Sequence, residues 1–203
     1  MYIMENKICD RRNRHGSDRR LIITRAGFDK DRRTMVFHAA MDVVIRPYVE
    51  SDRAAVIDAL DALQEHEIAL HDTRLPAADA TAPYLAELLQ ELPAKSGAMF
   101  VAEQAGALVG LVAGYIVDDP SVIETPDSNV YGYCSELYVA PGQRGTGLAQ
   151  RLLDLLERHL AAQAPIRRYR VNVLAANRMA CRAYEKAGFT PYEIMYERLI
   201  RRD

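Results

Sequence analysis

No run of eighteen apolar residues occurs in the 203-residue sequence, so no helix is expected to cross a membrane. Cysteine is scarce. Cys9, Cys134 and Cys181 are odd in number and lack Cys-x-x-Cys spacing, which excludes a disulfide framework. With no secretory leader to read, reduced thiols and a cytoplasmic location are expected. No His/Cys cluster has zinc spacing, and no metal is expected. What is present is ordinary for one globular domain: 49% hydrophobic and 27% charged residues, on a chain long enough to bury a sizeable core.

Charge is unevenly placed. Residues 1–40 carry ten Lys/Arg against five Asp/Glu, and the remainder sixteen against twenty-three. Arg11-Arg12-Asn13-Arg14 and Arg19-Arg20 make the first stretch basic enough to touch an acidic surface. The five interspersed acids argue against a targeting peptide. The expectation is a basic arm without fixed structure over 1–40, then a single domain over 41–203. Met35 and Met41 are alternative in-frame starts, and neither nucleic acid nor membrane is expected as a partner.

Residues 137–149, Leu-Tyr-Val-Ala-Pro-Gly-Gln-Arg-Gly-Thr-Gly-Leu-Ala, join an apolar strand to an amphipathic helix through a glycine-rich break. Glycines at such a junction let backbone N–H groups converge, and the helix N-terminus adds unpaired donors and partial positive charge. The loop is therefore suited to phosphate oxygens. Gln150 stands where a dinucleotide fingerprint needs its third glycine, and no Gly-Lys-Ser/Thr ending supports a nucleoside triphosphate loop. A pyrophosphate cradle of another type remains, beside an ordinary strand-to-helix turn.

Two motifs decide between these. Arg144-x-x-Gly147-x-Ala149, after Leu-x-Val-x-Pro, resembles the coenzyme A loop of the GNAT superfamily of N-acetyltransferases. Thirty residues on, Asn177 opens a stretch that continues to Tyr184-Glu185-Lys186-Ala187-Gly188-Phe189, similar to that superfamily's second motif. The resemblance runs from about Val43 to the C-terminus. It implies an α/β (α+β type) GNAT fold: a mixed, mostly antiparallel sheet of six to seven strands with a splayed parallel pair, flanked by about four helices.

The periodicities supply such elements. A strand is expected at 43–48, with Ser51 capping a helix that carries Val56, Ile57, Leu60 and Leu63. A shorter helix is expected at 84–92, ending before Pro93. Residues 99–103 and 108–117 read as a hairpin, 130–139 as the strand before the loop, and 168–174 as the strand after the next helix. That helix aligns Leu148, Leu152, Leu156 and Leu160. Asn177 suits an N-cap, Gly188 a C′ position, and 192–200 a closing strand.

The resemblance implies acetyl-CoA as acyl donor and an amine as acceptor. It makes Tyr184 the candidate general acid. Cofactor contacts fall to the backbones of Leu137 and Val139, to Arg144, Gly145, Thr146, Gly147, Leu148 and Ala149, and to Asn177. Glu136 is the candidate base, a binder of the cationic amine, or a surface carboxylate. Strict alternation sets it on the face opposite Ser135 and Leu137, with Tyr133 and Ser135 as the alternative proton path. Relatives that acetylate ribosomal-protein N-termini carry a glutamate where this chain has Asn172, which weighs against that substrate. Glu65, Glu67, Asp72, Asp118, Asp119, Glu124 and Asp127 favour a small cationic amine over a peptide lysine. A coenzyme A-binding regulatory module is the non-enzymatic alternative, and a homodimer is left open.

Overall fold

Near-continuous apolar strands such as 98–102 and 107–113 need cover on both faces, and here one sheet receives helices on both. The computed structural model describes residues 26–28, 35–37 and 42–201. In the N-terminal unit, β1 (Ala26–Phe28) and β2 (Met35–Phe37) pair antiparallel. The rest of the stretch expected to be an arm lies outside the described residues.

The second unit begins at Val43. Its elements are β3 (Val44–Pro47), α1 (Arg53–Ile68), α2 (Ala77–Ala94), β4 (Ala98–Gln104), β5 (Ala107–Asp118), a single turn α3 (Pro126–Asn129), β6 (Val130–Val139), α4 (Leu148–Gln163), β7 (Tyr169–Val171) and α5 (Arg178–Lys186). The sheet order is β3-β4-β5-β6-β7. All neighbours run antiparallel except β6 and β7, which are parallel. A strand–helix–strand crossover through α4 makes that pair, as the pattern predicts.

Each face has its own core. Val56, Leu60, Leu85, Leu88 and Leu92 from α1 and α2 pack on Met99, Val101, Leu111 and Ala113. On the other face Leu148, Leu152, Leu153, Leu156 and Leu160 of α4 cover Phe100, Ala102, Val112 and Cys134. These five of the six α4 leucines are buried, and each contributes about 1.5–3 kcal/mol relative to exposure.

The sequence expectations need several corrections: Asp52, not Ser51, is the N-cap of α1, and the strand expected at 168–174 is only Tyr169–Val171. The sheet has five strands among the described residues, not six or seven. Residues 192–200, read as a closing strand, run without secondary structure, because no ladder bonds tie them to the edge of the three-residue β7. Helix α2 begins at Ala77 rather than Tyr84 and carries Pro83 and Pro93 inside it. Early in that helix the Thr81 hydroxyl donates to Asp61 of α1 (2.5 Å), with Ala77 O also 3.0 Å from it, which ties α2 to α1. No helix among the described residues is long and apolar enough to cross a membrane.

Gly114 shows how closely the sheet and α4 meet. A Cβ there would stand 2.2 Å from Tyr133 O and 2.8 Å from Leu156 Cδ2. Gly114→Ala is therefore expected to destabilise the fold by about 1–3 kcal/mol, measured by denaturant unfolding.

Candidate active site

The parallel pair is short. Tyr169, Arg170 and Val171 of β7 match Gly132, Tyr133 and Cys134 of β6, and beyond them residues 135–139 keep only β5 as a neighbour. A cleft thus opens beside β6. At its root the β5–β6 register shifts: Gly114 faces Cys134, Ala113 faces Glu136, and Ser135 is extra. This β-bulge breaks the alternation assumed from sequence. Tyr133 now shares a face with Glu136 and Tyr138, toward α1 and α2, while Cys134, Leu137 and Val139 turn toward α4.

Backbone direction follows from the same ladder. Ala140 N donates to Val109 O at 2.9 Å, so by antiparallel alternation the N–H and C=O of Leu137 and Val139 point away from β5, into the cleft. At the cleft's end the chain turns through Pro141, Gly142 and Gln143 into the glycine loop. Gly147 has φ +86°, a left-handed conformation that a side chain would strain, and it stands as the N-cap of α4. Arg151 is the first α4 amide to find its i−4 acceptor, Gly147 O at 3.2 Å. The amides of Leu148 and Ala149 precede that ladder. Cβ atoms built at Gly145 and Gly147 would meet nothing within 4 Å, so space stands open over these donors. A pyrophosphate fits such a cradle.

Arg144 Nε donates to Val139 O at 3.3 Å, and its Nη1 lies 3.9 Å from Met179 Sδ on α5. Thr146 Oγ1 donates to Gln143 O at 2.7 Å, which closes the loop on itself. Asn177 caps α5 as expected, its Oδ1 accepting from Ala180 N at 3.1 Å. Gly188, at φ +93°, ends that helix.

Tyr184 of α5 packs in the α4-side core, with its ring edge-on to Phe189 at 5.8 Å. Burial, chiefly, with the nearby Cys134, Glu136, Tyr133 and Glu67, pushes its phenol well above the usual range and keeps it protonated. Glu136 lies on β6 with Tyr84 of α2 donating its phenol O–H to the carboxylate. Burial raises the Glu136 carboxyl to about 7. The Tyr84 donor and Arg74 act against that rise, and Glu67 adds to it. Arg74 and Glu67 are themselves bridged at 2.6 Å. Tyr133 is pushed up to about 12, first by burial, and its ring stands 5.7 Å from Tyr115. Tyr131 lies under the Arg170 guanidinium at 4.1 Å.

The Glu136 charge is thus felt at the Tyr184 phenol, which comes from a different element. Cys134 is fully buried with its thiol raised to about 12, unsuited to a nucleophile. Of the acids expected to attract a cation, Asp127 is paired with Arg168 at 3.0 Å and Glu67 with Arg74. Tyr84 escaped the sequence reading because helical spacing marks it only as one more partly apolar residue. The bulge at Ser135 leaves no local signal.

An open parallel pair with a glycine cradle at one end and a neutral-range carboxylate at the other defines an acyl-transfer class of fold. The chain belongs to the acetyltransferase (GNAT) family, whose model matches residues 61–189, and it is an N-acetyltransferase of that family. The family uses acetyl-CoA. Among solved structures, aminoglycoside N-acetyltransferase AAC(6')-Iy in complex with CoA is similar at 19% identity and TM-score 0.62, covering 82% of this chain and 99% of that one. A GCN5-related N-acetyltransferase from Ralstonia eutropha is 22% identical at TM-score 0.61, covering 78% and 99%. Glucosamine-6-phosphate N-acetyltransferase from Arabidopsis thaliana is 15% identical at TM-score 0.54, covering 79% and 99%. These likenesses speak for the fold. No curated protein sequence matches the chain.

Tyr84→Phe removes the donor that holds the Glu136 carboxyl down, so its titration midpoint is expected to move above about 7. Carboxyl-carbon NMR of the glutamates, with Glu136→Gln to assign the signal, measures the shift.

Proposed function

We propose that the protein transfers an acetyl group from acetyl-CoA to a primary amine of a small cationic molecule, with Glu136 as general base and Tyr184 as general acid. The observation that carries this reading is the Glu136 carboxyl, raised by burial to about 7 and held by the Tyr84 hydroxyl beside the open pair. A base of that strength is half ionised at neutral pH and takes up a proton readily once ionised. An amine of the lysine type, with pKa about 10.4, arrives as ammonium and must lose a proton before it attacks.

Acetyl-CoA supplies an acyl group activated as a thioester. Its pyrophosphate suits the amides of residues 145–149 and its pantetheine arm suits the outward backbone groups of Leu137 and Val139, in the manner of an added strand. Arg144 and Asn177 flank that path. The Val139 N–H, which points into the cleft, is the donor for developing oxyanion charge. Glu136 receives the amine's proton, and Tyr184 gives its own to the departing sulfur. Burial keeps Tyr184 in the protonated form this role requires.

The acceptor class is supported by the Glu136 carboxylate itself. One similar structure is AAC(6')-Iy in complex with a bisubstrate analog, CoA-S-monomethyl-acetylneamine, consistent with an amine acceptor. Residues 41–203 are the proposed transferase domain.

Thiol release from acetyl-CoA, run against polyamines, aminoglycosides, amino acids and lysine peptides, tests the acceptor class. Since the base acts deprotonated, kcat/KM is expected to rise with pH through about 7, and Glu136→Gln to abolish that limb with a loss of about 10²–10⁴-fold. Tyr184→Phe should lower kcat with little change in KM for acetyl-CoA. Gly147→Asp puts a strained, negative residue at the cradle and should weaken coenzyme A binding at least about tenfold by calorimetry. Unchanged affinity would overturn the cradle assignment, and an unchanged pH profile in Glu136→Gln the choice of base.

A further inference from the structure

Loop residues 141–147 stand almost wholly in solvent: all are exposed except Gln143, which is half-buried. Most of the loop's bonds are local. Gln143 N donates to Ala140 O at 2.8 Å, Arg144 N to Pro141 O at 3.3 Å, and the Thr146 hydroxyl to Gln143 O. Such bonds shape a loop without fixing where it stands. Arg144 reaches beyond the loop only through its long contact to Met179 and its bond to the end of β6. The remaining tie is the Gln143 side chain, whose Nε2 donates to Gln104 Oε1 at 2.6 Å, across 39 positions of sequence.

Gln104 is a firm point of attachment. It is the last residue of β4, paired with Ala107 of β5 across a two-residue turn. Both turn residues take a positive φ, +53° at Ala105 and +80° at Gly106, as in the tightest hairpins. Two residues on, the Val109 carbonyl of β5 accepts from Ala140 N at 2.9 Å. The hairpin therefore holds the loop by backbone at its entry and by side chain at Gln143.

On the basis of the pyrophosphate cradle already proposed, we infer that Gln143 and Gln104 are positioning residues for the acyl donor. Their bond holds the loop, before any ligand arrives, in the arrangement from which the amides of residues 145–149 converge on a pyrophosphate. Neither side chain needs to touch the donor. A loop that leaves this arrangement must be re-ordered when the donor binds, and affinity falls with the fraction of molecules in which the cradle is already formed. The chemistry of the pair suits the task. A carboxylate in place of either amide would set a negative charge close to the donor's phosphates, whereas two neutral amides fix the loop without one.

Gln143→Met and Gln104→Met keep the length of each side chain and remove its hydrogen bond. Each is expected to weaken coenzyme A binding by about three- to tenfold in calorimetry, the range of one hydrogen bond. The double variant should lose no more than either single one, because the two side chains act as a unit. KM for acetyl-CoA should rise while kcat at saturation does not fall. Pantetheine, which has no pyrophosphate, should bind the wild type and all three variants alike by NMR titration, whereas a general loosening of the sheet would weaken it too. Gly147→Asp separates this role from the cradle on which it rests. A loss of coenzyme A affinity in Gly147→Asp but not in Gln143→Met leaves the cradle standing and removes the positioning role. No loss in either variant overturns both. Losses that add in the double variant, or a matching loss of pantetheine affinity, also overturn the positioning role.

Discussion

The pairing of β6 with β7 lasts three residues, and the site exists because it stops there. A parallel ladder that continued would satisfy the backbone of residues 135–139 within the sheet and leave no edge for anything else. Two features end it: the extra residue at Ser135, which twists β6 away, and the brevity of β7. The closeness of Gly114 to Tyr133 and Leu156 belongs to the same geometry, since α4 must press on the sheet where the strands part. The five buried leucines of α4 anchor that pressure and fix the glycine loop at the helix's start.

The bulge also divides labour between the two faces of the sheet. On the α4 side lie the packed thiol of Cys134 and the side chains of Leu137 and Val139. On the α1–α2 side stand Tyr133, Glu136 and the Tyr84 that reaches Glu136 from α2. Without the extra residue Tyr133 and Glu136 would face opposite ways, and Tyr138 alone would be the carboxylate's aromatic neighbour on its own strand. Helix α2 then does more than cover the core: it supplies the donor that keeps a buried carboxylate from drifting to a neutral form at physiological pH.

What the sequence disclosed and what it concealed divide along the range of the interactions. Strand β6 ends where the proline-glycine break predicts, and the β4–β5 hairpin turns at Gln104-Ala105-Gly106, because local chemistry sets both. Asn177 caps its helix and Gly188 takes a positive φ for equally local reasons. The start of α2 was obscured by Pro83, which reads as a helix boundary in sequence, while the Thr81–Asp61 bond that ties this end of α2 to α1 joins residues twenty positions apart. The bulge and the Tyr84–Glu136 bond join residues far apart in the chain, and no period in either segment encodes them. The closing strand failed for a related reason. Its apolar content is real, but a strand is made by its neighbour, and the domain's own edge does not pair with it.

A single physical cause serves both ends of the proposed proton path. Desolvation disfavours the charged form of any acid, so the burial that lifts the Glu136 carboxyl also lifts the Tyr184 phenol. For the carboxylate this is a gain in basicity: an ordinary glutamate, at about 4.3, would bind an amine's proton too weakly to assist its removal. For the phenol the same shift secures the protonated state that an acid must hold before the reaction. Tyr84 and Arg74 then trim the carboxylate back toward neutrality without touching the phenol's protonation, since among the leading influences on Tyr184 neither appears. Base strength is thereby set by groups on α2 and the loop before it, while the acid is set by the depth of α5 against the sheet. The two can be altered separately, although one low-dielectric environment governs both.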